Sequence, residues 1–502
     1  MLDIGQSAAP GAGVARTVVL ACAALACCAG SARAQCPTDW TAPFEVGGPA
    51  LDNNVFALCA WDPDGPGPAM TGLVVGGTFN NAGGQPALRS ATFDGTWHAM
   101  GLGINNGNGY PSMAIAWDPD GAGPALAEAT IGGFFSQIAG ITVRNVSHWN
   151  GSTWAAFGAG TQDINNFPDV YCATMWDPDG PGPAVEQLVI GGEFTVAGGL
   201  SRRRIARWDG AGWQAFGTGM VDAVYSVTTW DPDGAGPANA VVVAGGVFGS
   251  AGGVAGTTRI AQWNGTAWSG VGSGVDGQVE GLTTWDPDGA GPQNAQLIAS
   301  GGFLNAGGVP ASKIARFDGT TWNALGTGLN NTAFVVKTWD PDGTGPQPLN
   351  VVAGGSFTTA GGAPANRVAR WDGSTWSAIG TGTSNTVFEL LSWDPDGAGP
   401  QQEGLVAGGT FTTAGGAPAN HLAFFPACTA GPACDSIDFN NDSLFPDTAD
   451  IDDFLSVFSG GPCSTAPTPG CNDIDFNNDS LFPDTLDIDS LLSVFSGGAC
   501  LT

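Results

Sequence analysis

The sequence predicts an all-β protein: a seven-bladed β-propeller closed by its own N-terminal strand, with a small helical calcium-loop module after it. Three observations predict this. The pentapeptide Trp-Asp-Pro-Asp-Gly occurs seven times, beginning at Trp61, Trp117, Trp176, Trp230, Trp285, Trp339 and Trp393, at spacings of 54–59 residues. A period that regular in a Gly-rich chain marks stacked copies of one supersecondary unit. Each copy holds four short strand-like segments punctuated by Asp-Gly and Gly-Gly, the signature of antiparallel hairpins. The two ends of the repeat region also carry complementary fragments of one unit, which favours a closed ring over an open stack with polar caps.

The first 34 residues read as a secretory signal. Arg16 precedes an apolar run from Thr17 to Gly30, and Ala32-Arg33-Ala34 has the form of a cleavage site. A lipoprotein reading through Cys22 or Cys27 stays open, although neither has a good lipobox. The run is too short for a membrane span, and no later stretch is long enough either. The expected location is outside the cell, secreted or on the surface, in an oxidising compartment.

Residues 35–427 form the expected ring. In the repeat, Thr386–Leu391 leads into Trp393 as strand a, and Leu405–Gly409 is strand b. Arg367–Trp371 is strand c, Asp372-Gly373 turns the chain, and Ser374–Ile379 is strand d. The last unit has a, b (Gly404–Thr410) and c (His421–Phe425) but no d, whereas a lone d-type segment around Trp40 precedes the first a-strand, Val55–Ala60. The N-terminal segment is therefore expected to complete blade 7. The d-strand tryptophans (Trp97, Trp154, Trp213, Trp268, Trp322, Trp376) and the c-strand aromatics (Phe93, Trp149, Trp208, Trp263, Phe317, Trp371) read as packing between blades. The Phe after each Gly-Gly, from Phe79 to Phe411, reads as core. Gly-Gly itself allows close backbone approach or positive φ.

With these residues in view, the repeat resembles kelch-like propellers. Its fuller pattern of Gly-Gly-x-Phe, Ala-Gly-Gly and Ile-Ala-Arg-Trp-Asp-Gly-x-x-Trp resembles bacterial surface repeats related to the Rax2-like propellers. The resemblance covers roughly residues 36–427 and implies a fold more than a function. The Asp-Pro-Asp-Gly insertion between strands a and b departs from a minimal hairpin. Antiparallel alternation puts the a–b and c–d loops on one face and the b–c and d–a loops on the other. The first face carries fourteen pentapeptide aspartates; the second reads as nearly uncharged, apart from patches such as Arg202-Arg203-Arg204. In propellers of this kind the b–c and d–a face is the expected ligand face.

Residues 428–502 change character. Residues 435–502 hold 13 Asp and no Lys or Arg, in two copies of one sequence 37 residues apart. Asp438, Asn440 and Asp442, and again Asp475, Asn477 and Asp479, follow the Asp-x-Asn-x-Asp start of an EF-hand loop, whose hard oxygens suit Ca²⁺. Asp450 and Asp487 would close the shells, with Asp447 or Asp484 as substitutes. Ile451, Phe454, Leu455 and Phe458 then repeat at helical spacing, as do Ile488, Leu491, Leu492 and Phe495. A duplicated loop followed by a single helix resembles a type I dockerin, which implies a cohesin-like partner or another cell-surface component. Ser443 and Ser480 stand where that family has Gly, and the closing acids fall at position thirteen instead of twelve. A solvated acidic tail without metal is the competing reading. Cys434 and Cys463, and Cys471 and Cys500, are each 29 apart and suit one staple per copy, with the swapped pairing open. Cys36 and Cys428 would meet at the ring closure; Cys59 and Cys172 are expected to lie too far apart to bond.

A formal charge of −31 argues against nucleic acid and anionic membranes as partners and leaves cations, glycans and proteins. No catalytic constellation is legible: the histidines, His98, His148 and His421, lie in different blades, and no nucleophile elbow, phosphate loop or zinc motif occurs. The primary reading is a secreted binding or scaffold protein rather than an enzyme. A polysaccharide-active enzyme with its acids in the channel is the second reading, with Glu193, Glu280 and Glu389 as the non-repeated acids to inspect. Calcium-dependent adhesion is the third.

Overall fold

A computed structural model describes residues 37–427, apart from 66–70, 106, 122, 124, 164–168, 181–184, 235–238, 290–292, 342–348 and 396–401, together with residues 454–456. The signal segment, every proposed calcium ligand from Asp438 to Asp487, and Cys36, Cys428, Cys434, Cys463, Cys471 and Cys500 lie outside the described residues. Residues 37–428 form one compact unit. In the other unit, residues 454–456 are helical, with Phe454 buried, within the span where helical spacing was expected.

The repeat folds as its punctuation dictates. In blade 1, strand a is Val55–Trp61, b is Gly72–Gly77, c is Ser90–Phe93 and d is Trp97–Ala99. They pair antiparallel in the order a-b-c-d, and blades 2 to 6 repeat this sheet. The a-strands of blades 2 to 7 are Tyr110–Trp117, Val170–Trp176, Val224–Trp230, Val279–Trp285, Ala333–Trp339 and Val387–Trp393. Each packs on the next, and the last packs on the first, so the seven sheets close into a β-propeller with strand a innermost. In blade 1 the Ala-Gly-Gly loop is a tight ribbon, Asn81–Ala82 against Gln85–Pro86. Gly83 and Gly84 have φ of 53° and 74°, which a two-residue hairpin of this hand requires.

Closure is made by the N-terminus. Blade 7 supplies only three strands, Val387–Trp393, Gly404–Gly409 and Leu422–Phe425. Thr41 bridges Phe424 in antiparallel fashion, with N–H···O bonds of 2.7 and 2.9 Å in the two directions. Trp40 then repeats what every d-strand Trp does. Its Nε1 donates to the carbonyl of Ile379 at 2.9 Å, as Trp97 does to Phe44, Trp154 to Met100 and Trp376 to Leu325. The c–d aromatic pairs have centroids 5.1–5.7 Å apart in blades 1 to 6, and Trp40 with Phe425 makes the seventh at 5.5 Å. The pentapeptide Trp braces the other side of the joint. Trp61 Nε1 donates to Ala127 in the next blade, and Trp393 donates across the closure to Thr71. The d-strand and pentapeptide Trp rings thus pack between blades with their N–H bonded, whereas the c-strand Trp208, Trp263 and Trp371 pack with their N–H unbonded.

The Asp-Pro-Asp-Gly loops are turns. Asp62 accepts from the N–H groups of Asp64 and Gly65, and Asp118, Asp177 and Asp231 repeat the pattern at 2.9–3.2 Å. This is Asx-turn chemistry. Among the described residues no three His, Cys, Asp or Glu side chains gather as metal ligands. Cys59 and Cys172 are both free thiols. No described helix is long and apolar enough to cross a membrane.

Candidate functional site: the mouth of the central channel

The seven a-strands enclose a channel of about 670 Å³. Its lining is set by a device repeated in every blade. The Gly two residues before each core Phe, the second of Gly-Gly in six blades and Gly301 after Ser300 in blade 5, sits against the start of strand a. A Cβ there would lie 1.9 Å from the Asn54 carbonyl in blade 1, and 2.1–2.3 Å from its counterparts in the other blades. That close approach lets strand a carry a β-bulge. The register skips one residue in every blade, always five positions before the pentapeptide Trp. A bulge re-aims the extra side chain. The seven skipped residues are Phe56, Ser112, Tyr171, Tyr225, Glu280, Phe334 and Phe388, and all seven line the channel, at its b–c and d–a end.

These residues make a collar. Phe334 meets Phe388 at 5.3 Å, Phe388 meets Phe56 at 5.3 Å, and Phe56 meets Tyr110 at 5.7 Å. Tyr110 lies two residues before Ser112 and fills the place that this serine leaves open. Tyr171 and Tyr225 form a second arc at 5.5 Å. All three tyrosines of the chain stand in this collar. Six half-buried aromatic rings therefore surround one opening.

Two polar breaks interrupt the rings. Between Tyr110 and Tyr171, Ser112 donates to Asp169 Oδ1 at 3.1 Å, and Tyr110 also bonds Asp169. Burial pushes the Asp169 carboxyl up to about 7, against the opposing effect of the bonds from Ser112, the Val170 N–H and Tyr110. Tyr171 donates to Glu193 Oε2 at 3.2 Å, and burial with the nearby acids raises the Tyr171 hydroxyl. Between Tyr225 and Phe334 stands Glu280, whose carboxyl burial also raises, with Gln278 bonded to it. Lys337 and Glu389 pair at 3.3 Å on the wall below. Of the acids singled out from the sequence, Glu280 and Glu389 line the channel and Glu193 bonds its rim. Asp169, the most buried of these acids, was not singled out.

The thiols are unsuited to nucleophilic work. Burial pushes Cys59 up to about 12 and raises Cys172 as well, so neither is a thiolate near neutrality. His98 bonds the exposed Asp94, and His148 pairs with Glu128 on a blade surface beside Trp117 and Phe157. Neither histidine lines the channel.

No protein-family model matches the chain, and no curated protein does. Solved structures match at low identity. The chain is similar to BBS1N in its complex with ARL6DN (11% identity, 78% of this chain and 97% of that one, TM-score 0.44). It is also similar to Saccharomyces cerevisiae Sqt1 (11%, 78% and 100%, TM-score 0.43) and to rhamnogalacturonan lyase YesW (15%, 79% and 75%, TM-score 0.38). The propeller assignment rests on this chain's own sheet order and closure.

Proposed function

We propose that the protein is a secreted binding protein whose propeller holds a sugar unit of an extracellular glycan in the channel mouth, and whose C-terminal loops bind Ca²⁺ and dock it to a surface component. The aromatic collar supports this reading most. Apolar sugar faces stack on aromatic rings, while hydroxyls need a few fixed polar partners in a largely apolar concavity. Tyr110, Tyr171, Tyr225, Glu193 and Glu280 supply those partners. Titration of neutral oligosaccharides into the secreted chain tests the reading. Tyr171→Ala with Tyr225→Ala should weaken binding about tenfold or more, at roughly 1–3 kcal/mol for two rings. Undiminished binding by this variant would move the site elsewhere.

Asp169 favours a second reading, glycan cleavage at the same mouth, because a buried carboxyl that is half protonated near neutrality suits general acid work. Release of reducing ends or unsaturated products from a polysaccharide, lost in Asp169→Asn, would support it.

A further inference from the structure

The residue just before strand c adopts left-handed backbone in every blade. It is Arg89, Asn145, Arg204, Arg259, Lys313, Arg367 and His421 in blades 1 to 7, with φ of 65–74°. The hydrogen bonding over-determines this conformation. The N–H donates to the carbonyl of the core Phe, as Arg259 does to Phe248 at 2.9 Å, and the carbonyl accepts from the Gly two residues before that Phe, as Arg259 does from Gly246 at 2.9 Å. A left-handed residue with a Cβ costs about 1–2 kcal/mol, and Gly or Asn relieves it. Blade 2 uses Asn there, yet five blades use Arg or Lys.

Those five are a large share of a total of 14 Lys and Arg in a chain with 45 acids. In so acidic a protein, half-buried cations should find carboxylates. Among the described residues the ion pairs are His98–Asp94, His148–Glu128 and Lys337–Glu389, and none involves this ring. Arg89 donates to the carbonyls of Gly107 and Gly109, and Lys313 donates to that of Gly302 at 3.0 Å; neutral acceptors leave the charge in place. Arg259 and Lys313 face one cleft of about 490 Å³ with Gln278 and Thr332, beside the starts of two a-strands. The face expected to be nearly uncharged therefore carries a ring of cations around the mouth that make no ion pair, set among the d–a loop carboxylates Asp52, Asp222 and Asp276.

We infer that this ring binds an acidic polysaccharide, one bearing uronate or sulfate groups, laid across the b–c and d–a face. The inference names the glycan class and rests on the reading that this face takes carbohydrate. The charge pattern selects a glycan over a nucleic acid. Glu280, Glu193 and Asp169 stand inside the cation ring. They accept hydrogen bonds from sugar hydroxyls but repel a densely charged phosphate chain. A uronate chain alternates hydroxyls and anions, which matches carboxylates within and guanidinium groups without.

The test uses the full secreted chain and four probes: polygalacturonate, dextran sulfate, unsubstituted dextran and single-stranded DNA. Polygalacturonate or dextran sulfate should bind, and the preferred one tells carboxylate from sulfate recognition. That binding should fall steeply between about 20 and 300 mM NaCl, as the screening length shortens from about 20 to about 6 Å. Arg259→Asn with Arg367→Asn keeps a side chain that tolerates left-handed backbone, as Asn145 shows, so the melting temperature should hold or rise. Binding of the acidic glycan should drop about tenfold, from loss of two charge-assisted contacts. Acidic glycans bound no better than dextran would overturn the inference, as would a variant affinity within twofold of wild type. DNA competing as well as the glycan would reassign the ring to phosphate chains. Should neutral sugars fail to bind while polygalacturonate binds and the Asn variant loses it, the reading of the aromatic mouth fails and the cation ring stands.

Discussion

Replacing Trp40 by Ala tests whether the ring is held shut by its first strand. Trp40 is only 4% exposed, its ring lies 5.5 Å from that of Phe425, and its Nε1 bonds the Ile379 carbonyl. Truncating a buried Trp costs about 3–5 kcal/mol, including the cavity and a carbonyl left without its donor. For cooperative unfolding of nearly 400 residues, the entropy of unfolding is about 0.8 kcal/mol/K, so the melting temperature should fall by about 4–6 °C. Trp376→Ala makes the same chemical change inside blade 6, where strands c and d are covalently continuous, and it gives the reference. If Trp40 closes the ring, the two losses should agree within about 2 °C, and Trp40→Ala alone should also free the N-terminus to proteolysis, because only there is the strand held without a hairpin. Differential scanning calorimetry with limited proteolysis reads both. A loss below about 1 °C for Trp40→Ala, with the full loss for Trp376→Ala, would refute closure by the N-terminal strand.

Gly246→Ala should destabilise by about 3 kcal/mol or more, because its Cβ would lie 2.2 Å from the Ala223 carbonyl and force out the bulge that aims Tyr225; chemical denaturation measures it. Asp169 has a raised carboxyl value, so its neutral form favours folding: that stability is full below about pH 4, is lost as pH rises towards 7 and changes little above. Asp169→Asn should therefore flatten the fall in unfolding free energy between those pH values, by at most about 4 kcal/mol, and an unchanged pH profile by chemical denaturation would contradict the burial argument. Millimolar Ca²⁺ should raise helix content and stability of the C-terminal module in the whole chain, and Asp438→Ala with Asp475→Ala should abolish the gain, as read by circular dichroism. The Asp-Pro-Asp-Gly rim should add nothing of its own. In that double variant, Ca²⁺ and Na⁺ at matched ionic strength should give equal melting temperatures, since Asp62 and its equivalents already spend an oxygen on the turn.

Repetition made the architecture legible. Trp40 could be assigned to blade 7 because six other d-strands showed what was missing, and its pairing with Phe425 follows from the same count. The paired aromatics and the core Phe were equally plain, since each column holds only aromatic residues. The site was illegible for the opposite reason. The column five residues before the pentapeptide Trp reads Phe, Ser, Tyr, Tyr, Glu, Phe, Phe, and period-two alternation treats it as any strand residue. Nothing in the sequence announces the bulge, because it arises from the contact of Gly-Gly with another strand. Glu280 drew attention only as a non-repeated acid. Asp169 lies in the connection before strand a of blade 3, where burial cannot be read from pattern. The basic column before strand c was visible as letters, but left-handed backbone is expected to take Gly or Asn, so it did not stand out as a position.

A ring of seven copies can orient an asymmetric ligand only where the copies differ. The blade joints differ little, and their Trp bonds make the channel a fixed frame. The collar column departs from aromatic at two places, Ser112 in blade 2 and Glu280 in blade 5. With Asp169 beside Ser112, these breaks split the collar into an arc from Phe334 to Tyr110 and a second arc of Tyr171 and Tyr225. Acids therefore stand at two separate places around one opening, with two rings between them on one side and four on the other. If a sugar occupies the mouth as proposed, an arc gives its flat face a ring to stack on, and the polar groups its hydroxyls meet, Asp169, Glu193, Glu280 and the tyrosine hydroxyls, differ from blade to blade. The basic column breaks its own symmetry at Asn145, in the same blade as Ser112, and at His421 in blade 7. Blade 2 therefore departs from the repeat in both columns, while Arg144 beside Asn145 still places a cation on the face there.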